Sequence, residues 1–188
     1  MKHLQAPFTK ADLATLEAGE SVLVTGTIYT ARDAAHARLC DALSKGQALP
    51  LDLRNQTIFY AGPTPPPPHK PTGAIGPTTS YRMDPYTPAL LQYGVNALIG
   101  KGERGEAVMQ ALAETGSVYF VAIGGCAAYM ARCITACDVV AYDDLGTESI
   151  KKLTVVDLPL VVAVDAHGKD AYASGVKKAL AFLDDKNK

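Results

Sequence analysis

Three cations and a run of hydroxyls form the most chemically suggestive pattern in this 188-residue chain. Gly76-Pro77-Thr78-Thr79-Ser80-Tyr81-Arg82-Met83-Asp84 sets three adjacent hydroxyls ahead of an arginine, and Gly76-Pro77 stops any regular element from entering the run. Arg82 can converge with those hydroxyls on one small anion. A solvated turn is the plainer reading, since most loops bind nothing. Two further cations stand where α/β proteins hold anions: Arg32 at the start of a helix that follows a strand, and Lys101 between Gly100 and Gly102 at a strand end. Two guanidinium forks and one ammonium group suit a dicarboxylate. No carboxylate pair, Ser-His-Asp set or His-rich cluster is evident in the sequence. The chain therefore reads as a substrate-holding half that lacks its own chemical engine.

The elements that must position these residues are legible from periodicity. Ser21 to Ala31 is rich in β-branched residues and predicts a strand. Thr30-Ala-Arg-Asp33 then has the form of a capping box, and Ala34 to Leu43 has helical spacing. This places Arg32, Asp33 and His36 in the first turn after a strand; for His36 alone, a satisfied structural histidine is the simpler role. Thr57 to Ala61 predicts a second strand, and seven of the 12 prolines fall between residues 63 and 77, so that stretch is extended or turning. Pro65 to Pro68 either stiffen the loop ahead of the hydroxyl run or present a polyproline ligand.

Thr87-Pro88 starts a helix that stops at Gly94, and Val95 to Ile99 is a strand that delivers Lys101. The GxxxxGK[ST] spacing is absent, so a nucleotide phosphate loop is not supported. Glu106 to Thr115 predicts a helix, Val118 to Ile123 a strand, and Gly124-Gly125 the opening of a helix that carries cysteines. Further strands are expected at Val139 to Tyr142, Leu153 to Val156 and Leu160 to Asp165, with a last helix over Ser174 to Leu183. The order of elements is α/β. Residues 1–188 read as a single domain, with 1–20 a peripheral lead-in through a short helix capped by Thr9.

Composition narrows the classes of partner. Net charge is formally −1, with 18 basic and 19 acidic residues and no dense basic stripe, so nothing argues for nucleic acid. No segment approaches the ~20 uninterrupted apolar residues of a membrane span, and the opening residues lack the apolar run of a signal peptide. A soluble, cytoplasmic protein is expected. Of the four cysteines, Cys126, Cys133 and Cys137 lie close together, but their spacing is not that of a ferredoxin run. They read as small buried hydrophobes, with a metal site or a disulfide the lesser alternatives.

The segments Thr30–His36, Tyr60–Pro63, Gly76–Asp84, Ile99–Gly102, Gly124-Gly125, Asp144–Gly146 and Leu160–Gly168 together resemble the iron-sulfur-dependent class I fumarases and the L(+)-tartrate dehydratases. The likeness is to their beta subunit or carboxyl-terminal domain, and it covers about residues 21 to 170 of this chain. The resemblance implies a swivelling three-layer β/β/α domain and reversible hydration of fumarate to (S)-malate, with L-tartrate and methyl-substituted fumarates as alternative substrates. It implies an alpha subunit carrying a [4Fe-4S] cluster not ligated by this chain, and a homodimer of beta chains within an α2β2 assembly. By position, Arg32 and Arg82 clamp carboxylates and Lys101 adds charge neutralisation. Thr78 is the base at the carbon bearing the departing proton, or relays that proton; Thr79 is an orienting donor, and His36 binds substrate or positions Arg32 or a partner residue. A stand-alone dicarboxylate-binding domain without its partner is the non-catalytic alternative.

Overall fold

The β-branched run Ser21–Thr30 forms the long strand β2 in the structure, a computed structural model that describes residues 1–186. Strands β1 (Lys2–Ala6) and β3 (Thr57–Phe59) pair with it in parallel, β1 along Val22–Gly26 and β3 at Tyr29–Thr30. β4 (Ala97–Gly100) and β5 (Val118–Val121) continue the parallel series from β3. The 15-residue strand β7 (Ile150–Val164) runs antiparallel to β2 along most of its length and pairs with β5 at its far end. Strands β2, β3, β4, β5 and β7 thereby close into a five-stranded barrel. The strand β6 (Ile134–Ala141) pairs with the first part of β7. The α/β expectation is borne out.

Successive strand residues point to opposite faces, and here both faces are covered. Phe59, Ile99 and Phe120 turn inward to meet Ile28, Leu153, Val155 and Leu158. Ile58, Leu98 and Tyr119 turn outward, beneath α2 (Asp33–Ser44), α3 (Thr87–Tyr93) and α4 (Glu106–Thr115), where Leu39, Leu90, Val108 and Leu112 cover them. Double coverage is why the parallel strands read as continuous apolar runs.

Several local expectations are corrected. The capping box at Thr30 does not form: the Thr30 hydroxyl is buried, accepts from the Lys151 backbone N–H at 3.1 Å, and leaves Arg32 as a cap residue with no side-chain bond. The cysteine-bearing helix is only the four-residue α5 (Ala127–Met130), followed by a turn into β6, so Cys137 lies on a strand. The two expected strands near the end of the sheet are one, β7, bent at Asp157, which adopts φ 48°. Residues 1–20 are not peripheral. Thr9 does cap α1 (Lys10–Ala14), but β1 pairs with β2, and Leu4, Phe8, Leu13 and Leu16 enter the inner core. Leu16→Ala should therefore cost about 2–5 kcal/mol, as for a fully buried leucine. Urea denaturation measures it, and a loss below ~0.5 kcal/mol, typical of an exposed site, would contradict the packing.

Candidate functional site

Strands β2, β3, β4 and β5 run parallel, so their carboxyl ends lie at one edge of the sheet, where open α/β folds bind ligands. Arg32 follows the end of β2. Tyr60 follows β3, and its carbonyl accepts from the Thr78 backbone N–H at 2.7 Å, which draws the hydroxyl run to this edge. Lys101 follows β4, and its backbone N–H donates to the Ser80 hydroxyl at 2.8 Å. That contact requires Gly100: a Cβ there would lie 2.0 Å from the Ser80 oxygen. The hydroxyl run, Arg32 and Lys101 therefore share one edge, as the spacing predicts.

At that edge Arg32 and Arg82 meet through one carboxylate. Asp33 lies 2.8 Å from Arg82 Nε and 3.7 Å from Arg32 Nη2, and Glu148 lies 3.4 Å from the same Arg32 nitrogen. The other oxygen of Glu148 accepts from the Ala34 backbone N–H at 2.9 Å, which caps α2 from a distant turn, Asp143–Glu148. That turn is pinned in its place by Lys151, whose ammonium donates to Gly146 O at 2.8 Å and Ser149 Oγ at 2.6 Å. Gly62 leaves room for it all, since a Cβ there would sit 2.8 Å from Thr147 and 3.1 Å from the Arg32 side chain. Two guanidinium groups are balanced by two carboxylates. The Arg82 Nη atoms have no protein partner among the described residues and face a cleft of about 540 Å³ lined by Asp33, Tyr81, Arg82, Asp84, Pro85 and Ala107.

Behind this surface is a residue that the sequence reading missed. The Arg104 side chain is buried, its guanidinium 5.1 Å from the Tyr60 ring centroid and 4.9 Å from that of Tyr119. Its Nε donates to Asp84 at 2.8 Å and its Nη2 to the Thr87 hydroxyl at 2.8 Å, while the second Asp84 oxygen accepts from the Gly105 N–H at 2.7 Å. Burial opposes the Arg104 charge, but Tyr60, Asp84 and Tyr119 outweigh it and hold its pKa above the ordinary arginine value. Burial also pushes the Tyr119 phenol up, so it stays a donor, to Gly102 O at 3.0 Å. The signal was present in outline: tyrosines in otherwise apolar strands need a polar partner.

His36 is placed differently from a substrate-binding residue. It is fully buried, its Nδ1 donates to Arg32 O at 2.8 Å, and its ring packs on Tyr60 and Tyr86. From there it supports the backbone of Arg32 and does not reach the cleft. Thr78 is half-buried, and Thr79 and the Lys101 side chain are exposed; none of the three lines the cleft. Cys126, Cys133 and Cys137 pack partly buried against the inner core, and burial pushes the Cys133 and Cys137 thiols up, away from the thiolate that a metal requires. They do not fit a cluster, and among the described residues no group of three potential metal ligands occurs.

This geometry defines an α/β domain with two arginines paired to carboxylates at the carboxyl edge of a barrel. The chain belongs to the family described as Fumarase C-terminus, which matches residues 2–175. It is 38% identical over 173 residues to the class I anaerobic fumarate hydratase of Escherichia coli K12, covering 91% of this chain and 32% of that protein. It is 34% identical over 174 residues to fumarate hydratase 2 of Leishmania major, covering 90% of this chain and 31% of that protein. A Methanocaldococcus jannaschii protein, provisionally named L(+)-tartrate dehydratase subunit beta, is 35% identical over 195 residues and is covered along 98% of both chains. The chain thus spans about a third of those fumarate hydratases and nearly all of the archaeal subunit.

Two supports of the site are testable by stability. Arg104→Met leaves Asp84 buried beside the lost charge and should cost about 3–5 kcal/mol in chemical denaturation; a change below ~1 kcal/mol would contradict the clamp. Burial lowers the His36 pKa from 6.5 to about 4. As pH falls the unfolded chain takes up this proton first, so stability present above pH 6.5 declines down through about pH 4, by on the order of 3 kcal/mol from this group. His36→Gln should flatten that part of the profile. An unchanged slope would refute the assignment.

Proposed function

We propose that this chain is the substrate-holding beta subunit of an iron-sulfur hydro-lyase that reversibly hydrates fumarate to (S)-malate. The observation that carries the reading is the meeting of Arg32 and Arg82 through Asp33 beside an open cleft. Similarity to fumarate hydratases along most of this chain supports it. In this reading the unused Arg82 Nη donors take one substrate carboxylate and Arg32 turns to the other, while Asp33 yields its contacts. Lys101 swings its exposed ammonium toward the dianion. Thr78 serves the carbon that exchanges a proton, as a relay, because a threonine hydroxyl is a poor base near neutral pH. Thr79 orients the substrate, and His36 positions Arg32 from beneath.

The [4Fe-4S] cluster belongs to an alpha subunit, where it supplies a Lewis-acidic iron for the substrate's hydroxyl and carboxylate. In that assembly residues 1–188 act as one swivelling three-layer β/β/α domain that closes the cleft against the alpha subunit, and two copies of each subunit form an α2β2 enzyme in the cytoplasm. No helix among the described residues is long and apolar enough to cross a membrane.

A second reading, the beta subunit of an L(+)-tartrate dehydratase that forms oxaloacetate, is favoured by the nearly complete overlap with the archaeal subunit. Side-by-side anaerobic assays of the chain reconstituted with its alpha subunit separate the two. The expected outcome is fumarate turnover that requires both chains and falls at least ~100-fold in Arg82→Ala, in keeping with loss of about 3 kcal/mol of charge-assisted hydrogen bonding. Preferential turnover of L-tartrate would select the second reading. Malate binding without turnover of either substrate would leave a dicarboxylate-binding domain, and full activity of Arg82→Ala would refute the site.

A further inference from the structure

The helix α6 (Ala171–Lys186) carries an apolar stripe that its own chain leaves open. Val176, Leu180 and Leu183 recur at steps of four and three residues, which stacks them on one helix face, and they are 57%, 57% and 54% exposed. A single helix of this length is marginal in water, and it is packed packing faces that stabilise such helices.

The charges beside the stripe select its occupant. Lys177 and Asp184 are both exposed and lie seven residues apart, on the same flank of the stripe, with no ion pair to either among the described residues. When two such helices pack antiparallel about a twofold axis, each flank meets the same flank of the other copy running the opposite way. Lys177 then comes opposite Asp184 of the second copy, and the pair occurs twice. The same register, centred between Leu180 and Ala181, seats Leu183 in the gap between Val176 and Leu180 of the second copy. Parallel packing would instead set Lys177 and Asp184 beside Tyr172 and Ala179, with no opposite charge to meet. Stripe and charges are therefore complementary to themselves in one orientation.

We infer that α6 is a contact between two copies of this chain, paired antiparallel through Val176, Leu180 and Leu183 and held in register by Lys177 and Asp184. The contact gives the pairing of beta chains proposed above a defined surface. It rests on that part of the proposal alone, and it is independent of the catalytic reading. A seam of this size is small, so association falls in the micromolar range, which sedimentation equilibrium of the full chain from about 1 to about 300 µM covers. The wild-type chain should dimerise, Lys177→Asp should weaken the dimer at least ~10-fold, and the double variant Lys177→Asp/Asp184→Lys should restore it. Both positions are exposed, and circular dichroism checks that each variant keeps its fold. A monomer throughout the range, a dimer indifferent to Lys177→Asp, or a double variant no better than the single one would overturn the inference. Because the readout is mass and not turnover, its failure is distinguishable from failure of the hydratase reading.

Discussion

The candidate site depends on one buried ion pair. Arg104 and Asp84 sit almost entirely out of water, with the Arg104 guanidinium over the rings of Tyr60 and Tyr119. Desolvating two charges is expensive, and the pair is tolerable only where the remaining hydrogen-bonding groups are used. Here they are: Thr87 takes a second arginine nitrogen, and the Gly105 N–H takes the second carboxylate oxygen. Asp84 follows the turn that carries Arg82, and Arg104 lies on the loop that carries Lys101. One interaction thus sets the spacing of two loops. The Ser80 contact to the Lys101 backbone completes the join on the other side of the turn.

The arginines at the surface are held by a different balance. Arg32 and Arg82 each lean on Asp33, and Glu148 serves both Arg32 and the half-buried start of α2. A helix whose cap residue is an arginine would ordinarily suffer at its positive end. The Glu148 carboxylate offsets that by supplying the acceptor that the cap position lacks. Asp33 and Glu148 consequently restrict both guanidinium groups to one region of the barrel's carboxyl edge.

Much of this was legible in the sequence, and the limits have physical causes. Arg32, Lys101 and the hydroxyl run could be placed at strand ends because period and glycine punctuation report strand ends well. Helix α4 was readable to the residue, having a glycine stop and a clean apolar face. The closed barrel was not readable, since the pairing of Ser21 with Val161 is set by packing between distant segments. Glu148 and Arg104 were missed for the same reason: each acts on residues far away in the chain, and no local spacing marks the partner. The lead-in's apolar residues are few, and only the pairing of β1 with β2 and their packing against the inner core make them core.

The closure of the barrel also bears on how the chain is made. β7 is the seam on which both β2 and β5 depend, yet it is synthesised more than a hundred residues after β2 begins. Until it emerges from the ribosome, β2 has one side without its partner and the inner apolar face lies open to water. Contacts of such sequence separation form slowly, and nascent strands with open edges are prone to associate wrongly. Production of this protein should therefore reward slow synthesis and chaperone cover more than any change at its surface.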